Sequence, residues 1–446
     1  MTELSRIDVK SHPLREQLYN ELHIRPFHAI STPQHVSYLA IRAQKAEQDQ
    51  ALELLRQLCE RFNVPAPELK AAGFRENFGD FTLQWERHVE FYSLTIMQPC
   101  PAEDDPFRHT ALELLPGDWL AAQPGEVVAA FHIAVVGADC PMDEEALQRY
   151  FEGHRRISIS QVKQGKATLH SAFRLHEDGF GRFLICDRGL SNVRMGRLVR
   201  RLIEVETYRL FTMLALPLAK QIAPQLVEMD QQLASFLTEL PKIENSEDER
   251  DLLLKLSQLE ARLETWRTRT NRRFSGAKAY HEMVQDRLGR IAEEKVEGFT
   301  TLGEFMRRRL DPALRTCVSV QSWMDDLSQR IKRASDLLRT RANLNLQEQN
   351  RSLLAAMNRR SRLQFRLQET VEGLSVVAIS YYLVGLLKHL FSALPLASWG
   401  VDKAVAVGVS VPLVLIGVLW LTRRIKHRLI KGSIHGEAQQ DGDCSP

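Results

Sequence analysis

The chain has 446 residues, enough for two or three structural units. Its 59 Lys and Arg against 56 Asp and Glu leave a formal net charge of +3, which excludes the global positive field of a nucleic-acid binder. Six scattered cysteines make neither a CxxC pair nor a zinc spacing, and they fit a reducing compartment.

The opening MTELSRIDVK has no apolar h-region, so no cleavable signal peptide is expected. Residues 1–190 alternate short helical and strand signals. His12–Glu21 has helical character, His35–Arg42 (HVSYLAIR) reads as a strand, and Ala46–Phe62 is an amphipathic helix closed by VPAP. Phe81–His88 and Glu90–Met97 are rich in β-formers. Val127–Val136 (VVAAFHIAVV) is an almost unbroken apolar run that suits a central strand covered on both faces. Met142–Gly153 reads as a helix. Strand signals follow at Arg156–Val162, Ala167–Leu175 and Arg182–Cys186, with Asp178-Gly179 as a hairpin signal between the last two. The expectation is an α+β cytoplasmic domain over 1–190 with a sheet of about five to seven strands.

From Asn192 the pattern is helical, and 191–372 is expected to form a stalk. Leu198, Leu202, Val205, Leu210 and Leu214 recur at helical spacing, with Pro217 and Pro224 bending or ending that helix. Glu244–Arg250 reads as a charged linker. Leu252, Leu256, Leu259, Leu263 and Trp266 step by 4, 3, 4 and 3, a coiled-coil-like seam that an antiparallel pair within one subunit would also use. Lys278–Val296 reads as a further helix. Asp311-Pro312 is expected to start a long one, because neither Pro nor Gly interrupts Ala313–Glu372. About sixty residues at 1.5 Å each span roughly 90 Å. Val320, Met324, Leu327, Ile331, Leu338, Leu346, Leu353 and Met357 give it an apolar stripe, with Asn350 at a seam position. So long a helix needs partners along its length, and a homo-oligomer is expected.

Two apolar runs follow. Ala404–Leu421 (AVAVGVSVPLVLIGVLWL) carries no charge, and membrane helices tolerate its Pro412. Gly373–Leu387 is shorter and reaches membrane length when Lys388 and His389 snorkel. Arg359, Arg360, Arg362 and Arg366 precede the pair, and Arg423, Arg424, Lys426, Arg428 and Lys431 follow it. The positive-inside rule then makes 373–423 a two-span hairpin with both termini cytoplasmic. Residues 424–446 read as a basic, then disordered, cytoplasmic tail.

The phrases ELHIRPFHAI (21–30), ERHVEF (86–91), HEDGFGRFLICD (176–187), EVETYRL (204–210) and LQFRLQETVEGLSVVAISYYLVGLL (363–387) resemble the bacterial membrane-anchored proteins catalogued as domain of unknown function 3422. The resemblance covers most of the chain. It implies a place in the bacterial inner membrane and brings no activity with it. The layout alone is similar to CorA-type divalent-cation channels, pentamers whose first span lines the pore and ends in Gly-Met-Asn. Here that place reads LLKHLFSALPLASWGVDK, without the tripeptide.

Glu86, His88 and Glu90 alternate, so on one strand they share a face, and carboxylate with imidazole could bind a metal. His23, Arg25, His28 and His176 are polar residues of the other quoted phrases. Together these seven are the candidate polar site, against the alternative of a structural hydrogen-bonded cluster or a solvated sheet face. Tyr381, Tyr382, Lys388 and His389 are the candidates for a pore or span interior, with interfacial anchoring as the alternative. No GxxxxGK[ST], GxGxxG after a strand or GxSxG occurs, so neither a cofactor nor an enzyme is expected. The basic clusters at Arg194–Arg201, Arg267–Arg273 and Arg307–Arg309 read as solvated helix faces, with contact to anionic lipid or RNA as the alternative. The functional expectation is an anchored scaffold or sensor with the bilayer and its own copies as partners. The alternative is a CorA-like channel, whose partner would be a cation.

Overall fold

The computed structural model describes residues 12–15, 19, 28–69, 71–99, 105–243, 245–393 and 403–437. The chain divides into two compact units, Met1–Leu338 and Arg339–Pro446.

In the first unit, β1 (Gln34–Arg42) leads into α1 (Lys45–Arg61), then β2 (Gly73–Asn77), β3 (Thr82–Arg87) and β4 (Phe91–Pro99). The short α2 (Gly117–Ala121) precedes β5 (Glu126–Val136), α3 (Glu144–Tyr150), β6 (Ser158–Val162), β7 (Ala167–Ser171) and β8 (Gly181–Asp187). Three long helices follow, α4 (Asn192–Met213), α5 (Ala215–Glu239) and α6 (Ser246–Ile291), then β9 (Glu293–Lys295) and α7 (Leu302–Ala393).

The strands form one sheet of nine in the order β2-β3-β4-β1-β5-β8-β7-β6-β9. β5 and β8 run parallel, while the other strand pairs are antiparallel. Alternation sorts side chains between two faces. Val36, Tyr38, Phe131, Ile133 and Phe183 point to one face, where Met195, Leu198, Leu202 and Val205 of α4 and Val284 and Leu288 of α6 cover them. Leu39, Ile41, Leu83, Trp85 and Leu94 point to the other and pack on Leu52, Leu55 and Leu58 of α1. Further along that second face, Ala134, Val136 and Leu184 meet Tyr150 and Phe151 beside α3.

A second core belongs to helices alone. Ala219, Ile222 and Leu226 of α5, Leu252, Leu256, Leu259 and Leu263 of α6, and Leu327, Ile331 and Leu338 of α7 share it. The 4-3-4-3 seam is thus used within one chain. The α7 stripe divides at the unit boundary: Val320 to Leu338 is buried, whereas Leu346, Leu353 and Met357 are 57, 61 and 61 % exposed.

Several expectations change. The sheet has nine strands rather than five to seven, because β2 (GFREN) and β9 (EEK) are polar edge segments without apolar alternation. Residues 246–250 open α6 behind an Asn245 cap instead of linking helices. The α4–α5 break falls at Leu214, and Pro224 lies inside α5. Asp178-Gly179 sits in a nine-residue connection between β7 and β8 rather than in a two-residue turn. α7 begins ten residues before Pro312, which it contains. Its start is a capping box: Thr301 Oγ1 accepts from Glu304 N–H at 3.1 Å, and Glu304 accepts from Thr301 N–H at 3.2 Å. Glu293 of β9 reinforces it, accepting from the N–H groups of Leu302 and Gly303 at 3.0 and 2.7 Å and from Ser160 Oγ at 2.8 Å.

The second unit contains the rest of α7 and α8 (Lys403–Glu437), which runs on into the expected tail; residues 438–446 lie outside the described residues. Val376 and Ser380 on α7, and Ser410 and Val418 on α8, are buried, so one side of each helix is closed off. Among the described residues, three helical stretches are long and apolar enough to cross a membrane: Asn192–Lys242, Leu302–Leu390 and Val407–Ile425. The first spans α4 and α5, whose apolar faces lie in the two cores described above.

Gly196 of α4 permits the closest approach in the first unit. A Cβ there would stand 1.6 Å from the His28 carbonyl oxygen, while Ile30 N–H donates to Asn192 O at 3.0 Å. Gly196→Ala is expected to cost about 1–3 kcal/mol through overpacking. Gly289→Ala on α6, with nothing within 4 Å of the added methyl, should be neutral or slightly stabilising. Thermal midpoints of the two detergent-solubilised variants measure this, and equal midpoints would refute it.

Candidate functional site

The antiparallel register lines up side chains across the first four strands of the sheet. Arg75 of β2 stands opposite Gln84 of β3, Gln84 opposite Thr95 of β4, and Thr95 opposite Tyr38 of β1. One neighbouring row holds Glu86, Ser93 and Ala40, and the other holds Thr82, Met97 and Val36. All face α4. Of these rows, Arg75, Gln84, Thr95, Tyr38, Glu86, Met97 and Val36 floor a cavity of about 310 Å³. Its roof is α4, through Gly196, Val199, Arg200, Ile203, Glu204, Thr207 and Tyr208, residues three and four apart on one helix side. His28 and Ile30 close one end, and Met283 and Arg287 of α6 flank the roof.

The floor grades from polar at the β2 edge to aromatic at β1, and the roof is charged. Arg200 lies 3.6 Å from Glu86 and 3.2 Å from Glu204. Arg287 pairs with Glu204 and with Asp286. Arg75 Nη1 donates to Gln84 Oε1 at 3.2 Å. Burial holds the Arg75 guanidinium below its ordinary pKa, though arginine stays charged. Burial also lowers the His28 pKa, helped by Arg75 and Arg200, so its imidazole is neutral near pH 7.

Of the seven sequence candidates, His28, Glu86 and His88 line this cavity. β3 ends at Arg87 and β4 begins at Phe91, so His88, Val89 and Glu90 make a turn and the expected one-face alternation stops there. The His88 ring stacks on Phe91 at 4.0 Å. Glu90 instead meets Arg273 of α6 at 3.0 Å, beside an open cleft that Arg42, Lys45, Arg269 and Arg272 also line. His23 and Arg25 lie outside the described residues. Arg75, Arg200, Glu204 and Arg287 were not among the candidates. The strand GFREN has no apolar alternation to reveal it, and the helical charges read as solvated faces.

His176 does not join this group, because it precedes β8 on the opposite face of the sheet. Its Nδ1 is 3.1 Å from Phe180 O, and its ring stands edge-on to His154 at 5.3 Å. Of the polar residues around it, Arg182, His132 and Ser37 are buried, while Glu152 and Asp178 stay open to solvent. Arg182 donates to Glu152 at 2.7 Å, to Asp178 at 3.2 Å and to the Tyr150 carbonyl at 2.9 Å. Ser37 Oγ accepts from Leu112 N–H at 3.1 Å and lies 2.9 Å from His132 Nδ1, while His132 Nε2 is 3.9 Å from Asp178. This serine, histidine and acid resemble a nucleophilic triad only in composition. Ser37 is 1 % exposed, and the adjoining cavity of about 10 Å³ has room for about one water.

Among the described residues no three His, Cys, Asp or Glu side chains gather to hold a metal ion. In the second unit, Tyr381 and Tyr382 are 77 and 71 % exposed, and Lys388 and His389 are exposed too. They lie away from the closed side of α7 at Val376 and Ser380.

The family described as "Protein of unknown function (DUF3422)" matches residues 10–429, and the chain belongs to it. No curated protein and no solved structure matches the chain, and no comparison shows the expected likeness to CorA-type channels.

The closed-in face has a pH signature. Burial pushes the His132 imidazole down to about 4 from 6.5, and His170 on β7 likewise to about 4. The fold holds both rings neutral, whereas the unfolded chain binds their protons near the ordinary value. Their contribution is therefore complete above pH 6.5 and is lost as pH falls from 6.5 towards 4. Each ring carries on the order of 3 kcal/mol of this linkage. Thermal midpoints across that window should fall steeply for the wild type and less steeply for His132→Gln. Parallel slopes would show that His132 is not held neutral.

Proposed function

We propose that this family member is a membrane-anchored sensor of the bacterial inner membrane, assembled from several copies and holding its ligand-binding unit in the cytoplasm. The observation that carries the reading is α7. This one helix places Leu302, Met306 and Leu310 in the core beneath the sheet and carries the uncharged run Gly373–Leu387 near its other end. A helix that is core at one end and of membrane composition at the other suits a tether.

Two further observations support it. The cavity under α4 is of ligand-binding size and gathers charged and polar groups beside an apolar end, which favours reception of a small molecule over a bare scaffold. Past the unit boundary, α7 leaves Leu346, Leu353, Met357, Leu363 and Leu367 exposed, an apolar surface that a second copy of the helix would cover. We read the protein as a binder rather than an enzyme, since its buried Ser37–His132 pair is sealed.

Reporter fusions at residues 1, 400 and 446 test the tether. Cytoplasmic signals at the two ends and a periplasmic signal at 400 are expected, because Arg359–Arg366 and Arg423–Lys431 flank the apolar runs. A cytoplasmic signal at 400 would remove the hairpin. The mass of the detergent-solubilised chain tests the assembly. Leu346→Asp with Leu353→Asp and Met357→Asp should reduce it to the monomer while unit 1 stays folded. The same change at Leu327, Ile331 and Leu338 should unfold the helical core that buries them. A wild type that is strictly monomeric at high concentration would end the oligomer reading.

A further inference from the structure

We infer that the cavity under α4 receives a small organic monoanion, a carboxylate joined to an apolar body, with its head against Arg75. The inference rests on the sensor reading above and names the ligand class.

The first argument is charge. Three guanidinium groups, Arg75, Arg200 and Arg287, and two carboxylates, Glu86 and Glu204, line the cavity. Arg200 and Arg287 face those carboxylates and Asp286. Arg75 is different. It donates to the neutral Gln84 amide oxygen and has no carboxylate within ion-pair reach among the described residues. A partly buried cation without a counter-charge is costly, and a carboxylate head would supply that charge through paired N–H···O bonds. Among the described residues of the cavity one guanidinium is left without a counter-charge, and it calls for one negative charge.

The second argument is the direction of the floor. Arg75 and Gln84 stand at the β2 edge, and Tyr38 lies three strands inward. Phe91, Met97, Val199 and Ile203 line the same cavity and are apolar. A bare inorganic anion would leave this surface uncovered, whereas an anion with an apolar body matches both ends. His28, neutral beside Arg75 and Arg200, can donate a second hydrogen bond to the head without adding charge.

The test uses the full chain in nanodiscs and three probes that share a body and differ in charge: phenylacetate, phenethylamine and 2-phenylethanol. Calorimetric titration and the thermal midpoint are the readouts. Phenylacetate should bind saturably and raise the midpoint. Arg75→Gln should weaken it roughly tenfold or more, and Arg75→Lys should restore part of the loss. Met283→Trp, placed at the partly exposed flank of the roof, should block binding. The ligand-free midpoint of each variant shows whether it folds. If the amine or the alcohol binds as tightly, is blocked by Met283→Trp and ignores Arg75→Gln, the monoanion class is overturned while the receptor reading stands. If no probe binds saturably, both fall.

Discussion

A helix covers only a fraction of a wide sheet. Nine strands at about 4.8 Å spacing make a surface roughly 38 Å across, whereas a helix with its side chains is about 10 Å wide. On one face, α4, α6 and the start of α7 share the cover, which is most apolar over β1, β5 and β8, where Phe131, Ile133 and Phe183 meet Leu198, Leu202 and Val205. Over β2 and β3 the underside of α4 changes to Arg200 and Glu204, and the floor changes with it to Arg75, Gln84 and Glu86. The cavity lies at this transition between dry core and edge. Its polarity follows from the geometry of covering the sheet as much as from any single residue.

The opposite face carries a far smaller cavity, about 10 Å³, against its strands. There α1, α3 and the segment around Phe107 to Leu115 leave little open space, and some polar groups are held between them. Arg182 gathers Glu152, Asp178 and a carbonyl. His132 stacks on Phe180 at 4.3 Å, and its Nδ1 lies 2.9 Å from Ser37 Oγ. The two faces show that polar residues on alternating strand positions can be either site or scaffold. The volume left beside them decides which.

Much of the architecture was legible because it is written in periodicity. β1, α1, β3, β4 and β5 stand within a residue or two of where alternation and helical spacing put them, and the leucine seam of α6 is buried throughout. What escaped was specified by distant partners. GFREN becomes a strand only because β3 is beside it, and EEK only because β6 is. Pro312 reads as a helix start, yet the Thr301–Glu304 box and Glu293 had already begun the helix. Of the cavity, alternation in ERHVEF singled out Glu86 and His88. It could not show that the strand turns at His88, sending Glu90 towards Arg273. Nor could it show that α4 aims Arg200 inward, since a charge on a helix looks alike on either side until the sheet is known.

The outer edge of the sheet has a consequence for how the protein is made. β6 exposes its edge until Glu293–Lys295 pairs with it, and Ser160 waits for Lys295, 135 residues later in the chain. At the usual ~5–20 residues per second of translation, the nascent sheet displays an open strand for on the order of ten seconds. An open edge invites pairing with other chains. Throughout that interval the ribosome is making α4, α5 and α6, so the domain is finished only when synthesis has moved well beyond it. A chaperone that holds nascent chains would find a target at residues 158–162 during that interval, and the strand that finally closes the edge is short and charged, a poor template for any chain but its own.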